Sequence, residues 1–360
     1  RFGAMAAEPK PRILLMGMRR SGKTSIQKVV FHKLSPHETL FLEGTTKIIK
    51  TDISNSALLQ FEVWDFPPPG PTEFTEQEAK WTPVFAACST LVWVIDVQDE
   101  YAESIARLQA ALAVALRARE GAPLACEVVV HKTDSLSEDQ KFEVQRDVHA
   151  QVSEELSSLR AGVPLRVFLT SIYDHSIFEA LSKVVQRLLS PLPALQHLLD
   201  VLLSKAAGEK AFLFDMVSKL YLATDSSPVD MQLYELCADV IDVVIDVTYI
   251  YAPRDGAAQT QGVQGQSLGG ADGAEGASAE AEGASAAGGA AGATSSAVIR
   301  LSNGSVLHLR HVDEYVALVV VMSEHTLQRQ GLVEVNFQCF KEAVRSLFPP
   351  KAKSDGGVGT

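Results

Sequence analysis

The sequence predicts an α/β protein: a doubly wound, mostly parallel sheet, followed by a smaller α+β unit. Three observations predict it. Short apolar strands alternate with helical stretches through the first half of the chain. A glycine- and lysine-bearing loop motif lies between the first strand and the first helix. After Pro191 and Pro193 the alternation gives way to a hairpin and an isolated strand flanked by helices.

The elements follow from local pattern. Arg12–Met16 is a short apolar strand, and Lys23–Lys33 has helical spacing. Leu58–Trp64 alternates as a strand, Leu91–Val97 is a continuous apolar strand, and Ala102–Arg117 is helical. Glu127–His131 and Arg166–Thr170 are further strands, each followed by a helix, Lys141–Leu159 and Ser176–Leu189. In the second half, Leu195–Leu203 is a short helix, Phe212–Ala223 an extended run, and Met231–Tyr249 a helix. Val298–Leu301 and Val306–Leu309 flank a Ser302-Asn303-Gly304-Ser305 turn, the Asn-Gly signature of a hairpin. The strand Tyr315–Met322 and the helix Asn336–Phe348 complete the pattern.

These boundaries give a first domain over 9–192 and a second over 193–348, with disordered ends at 1–8 and 349–360. Residues 253–297 are almost wholly Gly, Ala, Ser, Gln and acids, without an aromatic side chain. Such a segment cannot bury enough apolar surface to offset its ordering entropy, so it reads as a disordered insertion within the second domain.

Composition narrows the function. With 32 basic and 44 acidic side chains the net charge is −12, which argues against a general nucleic-acid binder. Cys88, Cys126, Cys237 and Cys339 lie far apart and form no CxxC pair, so neither a disulfide framework nor a zinc spacing is present, in keeping with a reducing, cytoplasmic setting. No apolar run reaches the roughly 18–20 residues of a bilayer span. There is no signal-peptide core near Arg1 and no prenylation cysteine near Thr360, so membrane association is expected through partners and not by insertion.

The chemistry concentrates in Gly17-Met18-Arg19-Arg20-Ser21-Gly22-Lys23-Thr24, a complete G-x-x-x-x-G-K-[ST] pattern between a strand and a helix. Its glycines permit a tight backbone path in which the N–H groups of Arg19, Arg20, Ser21 and Gly22 face phosphate oxygens. The helix N-terminus, with Ser25 in its first turn, adds partial positive charge. Lys23 reaches the β- and γ-phosphates, and the Thr24 hydroxyl ligates Mg²⁺. The loop alone leaves ATP and GTP open. His131-Lys132-Thr133-Asp134 follows a buried strand and resembles the guanine motif Asn-Lys-x-Asp, with His for Asn. Asp134 can accept both the N1–H and the exocyclic amine of guanine, an arrangement adenine cannot satisfy. The Lys132 stem can lie over the base, and the N–H groups of Ser171 and Ile172 can face the guanine O6. Between these motifs, Thr45, with Thr39 upstream, suits the Mg²⁺ shell, and Asp65 suits its outer carboxylate.

These residues resemble the Rag-type small GTPases, specifically the C/D class. The resemblance is carried by Lys10–Lys33, Trp64-Asp65-Phe66-Pro67, His131–Asp134 and Leu169–Ala180, and in the second half by Lys210–Asp215 and Ala223–Met231. It implies a P-loop GTPase domain that binds GTP or GDP with Mg²⁺, followed by a roadblock-type domain that pairs with an A/B-class Rag GTPase. It further implies docking at the lysosomal or vacuolar surface through a Ragulator-type scaffold. There the heterodimer relays amino-acid availability to the target-of-rapamycin kinase complex. One segment departs from the family: Asp65-Phe66-Pro67 continues as Pro68-Pro69-Gly70-Pro71 where Gly and Gln would follow. The glycine whose N–H would meet the γ-phosphate is either replaced by Pro68, which has no N–H, or displaced to Gly70 by an insertion, the favoured reading. On either reading no Gln follows to orient water, so turnover is expected to be slow, and a nucleotide-binding scaffold without turnover is the alternative.

Asp134→Asn is expected to shift nucleotide preference from guanine toward xanthine, read by competition binding. Unchanged base selectivity would remove Asp134 from its base-reading role.

Overall fold

The computed structural model describes residues 10–54, 58–120, 124–157, 159, 164–251 and 296–348. The ends expected to be disordered, and the expected insertion up to residue 295, lie outside these described residues. The chain divides into two compact units. The first runs to Leu192 and includes Asp215–Leu222; the second begins at Pro193.

The first unit contains β1 (Arg12–Gly17), α1 (Lys23–His32), β2 (Ile49–Ile53), β3 (Phe61–Asp65), α2 (Glu73–Glu76), α3 (Glu78–Ala86), β4 (Thr90–Asp96), α4 (Tyr101–Ala118), β5 (Ala125–His131), α5 (Glu138–Ser157), β6 (Leu165–Thr170) and α6 (Ser176–Gln186). Its sheet has the order β2-β3-β1-β4-β5-β6. All neighbours pair in parallel except β2 and β3. β4 and β5 are buried along nearly their whole length, as expected of central strands covered on both faces. Leu91, Trp93 and Val128 form one core with Leu108, Leu112 and Ala115 of α4 and Phe85 of α3.

Two elements here escape sequence pattern. β2 is an edge strand whose Ile49, Lys50 and Asp52 are exposed, so it carries no apolar alternation. β3 begins at Phe61, not at Leu58 as expected; Leu58 and Leu59 are buried without belonging to the ladder.

The remaining elements are α7 (Leu192–Ala206), β7 (Gly208–Asp215), β8 (Tyr221–Thr224), α8 (Met231–Tyr251), β9 (Ser296–Arg300), β10 (Ser305–His311), β11 (Val316–Ser323), α9 (Glu324–Leu327) and α10 (Gln330–Leu347). The second sheet has the order β8-β7-β11-β10-β9, with β9, β10 and β11 antiparallel. The expected run Phe212–Ala223 is two strands and a turn. The Asp215 carboxylate accepts from the Ser218 N–H at 2.8 Å and its hydroxyl at 2.6 Å, and Lys219 adopts φ 59°. The Asn-Gly hairpin forms as expected, with Gly304 at φ 83°. β9 starts at Ser296, so Ser296 and Ala297 belong to the ladder opposite Arg310 and Leu309 and not to the low-complexity insertion. α7 begins at Leu192 instead of Leu195, because Pro193 is tolerated in a first turn, where its missing N–H has no partner to lose. No described helix is long and apolar enough to cross a membrane.

Phe85 is wholly buried, with ring centroids 5.8 Å from Trp81 and 6.1 Å from Phe74. Phe85→Ala is expected to cost about 3–5 kcal/mol in denaturant unfolding, against about 0.5 kcal/mol or less for Phe142→Ala, since Phe142 is 69% exposed. His308 is buried and its Nε2 accepts from Arg310 Nε at 3.0 Å; burial first and Arg310 second lower its pKa from 6.5 to about 4, against the pull of Glu334. The unfolded chain then binds the proton first, so this contribution is whole above pH 6.5 and lost as pH falls toward 4. His308→Gln is expected to flatten the decline of the melting temperature over that window.

Candidate nucleotide-binding site

The parallel register sets the carboxyl ends of β1, β4, β5 and β6 side by side: Gly17 lies opposite Val94, Asp96 opposite His131, and His131 opposite Thr170. Loops leaving this edge of an open α/β sheet form its ligand crevice. The phosphate-loop motif fills the gap between β1 and α1. Gly17 takes φ 143°, and a Cβ there would stand 2.2 Å from the Val94 carbonyl oxygen. Gly22 takes φ 97°, and a Cβ there would stand 2.5 Å from Cδ2 of His131. Only glycine fits either position.

Lys23 is buried, and its Nζ donates to the carbonyls of Gly17 at 2.9 Å and Met18 at 2.6 Å. The ammonium thus sits inside the curl of the loop. Burial lowers its pKa to about 8, partly opposed by Asp65. Ser21 is fully buried and its hydroxyl donates to Met18 O at 3.0 Å, bracing the loop. Arg19 and Arg20 are exposed, and Arg20 adopts φ 64°. Ser25 lies in the first turn of α1, half-buried.

Thr24, Thr45 and Asp65 come from separate parts of the chain and converge. The Thr24 hydroxyl donates to Asp65 Oδ2 at 2.6 Å and lies 2.6 Å from the Thr45 hydroxyl, whose own distance to Asp65 Oδ2 is 3.5 Å. Asp65 is fully buried, its Oδ1 has no hydrogen-bond partner among the described residues, and burial raises its pKa against the hydroxyls and Lys23. Two hydroxyls and a carboxylate with an unpartnered buried oxygen are the hard-donor set that suits a small divalent cation. Thr39 is not brought here: its hydroxyl donates to Pro36 O at 2.7 Å within its own 3₁₀ turn, Pro36–Phe41.

The base-side residues meet at the ends of β5 and β6. His131 is buried, its Nδ1 lies 2.8 Å from the Thr170 hydroxyl, and its ring packs against Gly22. Burial, with Lys132 adding, lowers its pKa to about 4, so it is neutral. His131 thus bridges the phosphate loop and the neighbouring strand. Lys132 turns out of β5 at φ 66° and its ammonium pairs with Asp96 at the end of β4. Asp134 is exposed at the rim, its Oδ1 accepting from the buried Ser171 hydroxyl at 2.9 Å. The Ser171 N–H donates to Ser176 Oγ at 2.9 Å, and Ile172 follows, half-buried. Gly70 lies in the proline-rich segment and its N–H donates to Glu73 Oε2 at 2.9 Å.

Sequence reasoning missed Asp96 and Thr170 as partners of the base-side motif. An acid ending a buried parallel strand is the signal that could have found Asp96. For Thr170 only the strand pairing reveals the contact.

A family model described as Gtr1/RagA G protein conserved region matches residues 12–241. Human Ras-related GTP-binding protein C is 47% identical over 98% of this chain and 81% of its own length. Mouse Ras-related GTP-binding protein D is 46% identical over 97% of this chain and 70% of its own length. The GTP-binding protein gtr2 of Schizosaccharomyces pombe is 41% identical over 95% of this chain and 99% of its own length. With a phosphate loop so built and relatives matching over 95% or more of this chain, the chain belongs to the Rag/Gtr family of guanine-nucleotide-binding GTPases, on the branch of its C, D and Gtr2 members.

Proposed function

We propose that this chain is the C/D-class half of a Rag-type heterodimer, holding GDP or GTP with Mg²⁺ and relaying amino-acid availability to the target-of-rapamycin kinase complex. The observation that carries the nucleotide reading is the convergence of Thr24, Thr45 and Asp65 beside the loop that encloses Lys23. In this reading the loop amides of Arg19, Arg20, Ser21 and Gly22 with Lys23 and Ser25 hold the phosphates, while the Thr39 hydroxyl stays bonded within its own turn. Thr24 and Thr45 ligate Mg²⁺ directly and Asp65 acts from behind them; the ion, when bound, neutralises phosphate charge. Asp134, Lys132, Ser171 and Ile172 hold the guanine, while His131 supports the wall between base and phosphates.

The domain reading proposed is a GTPase domain over 9–192 and a roadblock-type dimerisation domain over 193–348 that carries a low-complexity insertion. Val243 on α8 and Leu332 and Val335 on α10 are exposed apolar side chains in the second unit, which supports a protein partner there. The partner is an A/B-class Rag GTPase. A Ragulator-type scaffold brings the pair to the lysosomal or vacuolar surface.

A second reading, a binding subunit without turnover, is favoured by Pro68, Pro69 and Pro71 and by the lack of a Gln after Gly70. One experiment separates the two. The chain is co-purified with a candidate A/B-class partner, the nucleotide on each subunit is identified, and single-turnover GTP hydrolysis is measured. The expected result is a stable pair with guanine nucleotide on this subunit, not displaced by ATP, and slow but measurable phosphate release. Equal displacement by ATP would overturn the guanine assignment, and absence of phosphate release would leave the binding subunit as the function.

A further inference from the structure

The proline-rich segment that follows Asp65 is held from both sides. Phe66 lies 5.5 Å from Trp81 by ring centroid, and Phe74 lies 5.0 Å from the same ring. The Pro69 carbonyl accepts from Arg107 of α4, whose guanidinium also pairs with Glu103. Between these anchors the Gly70 N–H donates to Glu73 Oε2 at 2.9 Å, while Lys80 Nζ holds Glu73 Oε1 at 2.8 Å. Both carboxylate oxygens are therefore engaged, and the Glu73 side chain is only 20% exposed. Burial alone would raise its pKa, but Lys80 and the Gly70 amide hold it below the usual carboxylate range, so it carries full charge.

A backbone amide has one proton to give. An anion that needs the Gly70 N–H must take it from Glu73, breaking a part-buried, charge-assisted hydrogen bond. It must also approach a carboxylate of like charge. Pro68, Pro69 and Pro71 have fixed φ, which limits how the chain re-aims Gly70 to escape the competition.

We propose that Glu73 is a specificity-determining residue of this nucleotide site. Its carboxylate occupies the Gly70 amide in the place of a γ-phosphate oxygen, so the site favours a nucleoside diphosphate over the triphosphate. The proposal rests on the reading of Gly70 as the γ-phosphate amide. GDP has no γ-phosphate and leaves the Glu73 bond intact; GTP gains the Gly70 contact only by displacing it.

The test measures equilibrium affinities of the full chain for GDP and for a non-hydrolysable GTP analogue, in Mg²⁺. The variants are Glu73→Ala, Glu73→Gln, Gly70→Pro, and Glu73→Ala combined with Gly70→Pro. Glu73→Ala is expected to raise the analogue-to-GDP affinity ratio about tenfold, the scale of one hydrogen bond to a charged group, with GDP affinity little changed. Glu73→Gln keeps a neutral acceptor for the amide and is expected to fall between wild type and Ala. Gly70→Pro in the Glu73→Ala background is expected to abolish the gain. An unchanged ratio in Glu73→Ala, or a parallel loss for both nucleotides, would overturn the proposal. A ratio that rises in Glu73→Ala but survives Gly70→Pro would overturn the reading of Gly70 and with it the competition for its amide. Should Glu73→Ala fail to fold, Glu73→Gln decides alone, an unchanged ratio being the adverse result.

Discussion

The phosphate loop touches the sheet at two points that leave no room for a methyl group. At Gly17 the loop leaves β1 against the Val94 carbonyl of β4, and at Gly22 it enters α1 against the His131 ring of β5. Both residues hold positive φ, so the path is sterically closed to any other amino acid. Because β4 and β5 are central, buried strands, these contacts tie the loop to the most rigid part of the unit. Lys23 inside the curl and Thr24 on the first turn of α1 take their positions from that seating.

Burial then sets the charge states. Lys23 and Asp65 are both taken out of water at the same spot, so burial lowers the pKa of one and raises that of the other while their attraction opposes both shifts. Ionised groups held in such a place are costly unless compensated. The two loop carbonyls accepting from Lys23 and the hydroxyls of Thr24 and Thr45 on Asp65 supply part of that compensation, and Asp65 Oδ1 is left without a hydrogen-bond partner among the described residues. His131 takes the opposite course. It stays neutral, and a neutral ring can pack flush on Gly22 while bonding Thr170. The same logic recurs in the proline-rich segment after β3, where Glu73 keeps its charge because Lys80 and the Gly70 amide share it.

Much of the fold was legible because buried strands and amphipathic helices write their period into neighbouring residues. The apolar run at β4 and the strand-to-helix context of the phosphate loop needed no tertiary knowledge. β2 was illegible because an edge strand with exposed Ile49, Lys50 and Asp52 is held by pairing with β3 and not by burial. The turn inside Phe212–Ala223 was hidden for a related reason: Asp215, Ser218 and Lys219 are a short polar break inside a mostly apolar stretch with no Gly, Pro or Asn to mark a turn. In the site, the motif residues were readable, but the destinations of their side chains were not. Thr39 bonds its own turn, and Lys132 pairs with Asp96.

By itself the sequence determined the alternation of strands and helices, the phosphate loop and the kind of chemistry its residues suit, since each depends on residues within a turn or two of one another. Tertiary structure alone decided which atoms meet. Thr24 and Asp65 are 41 positions apart, and His131 and Thr170 are 39 apart. Those distances close only because β1 pairs with β3 and β5 with β6 in particular registers. Register is settled by the burial of whole faces, a property of the assembled sheet that no local window of residues contains.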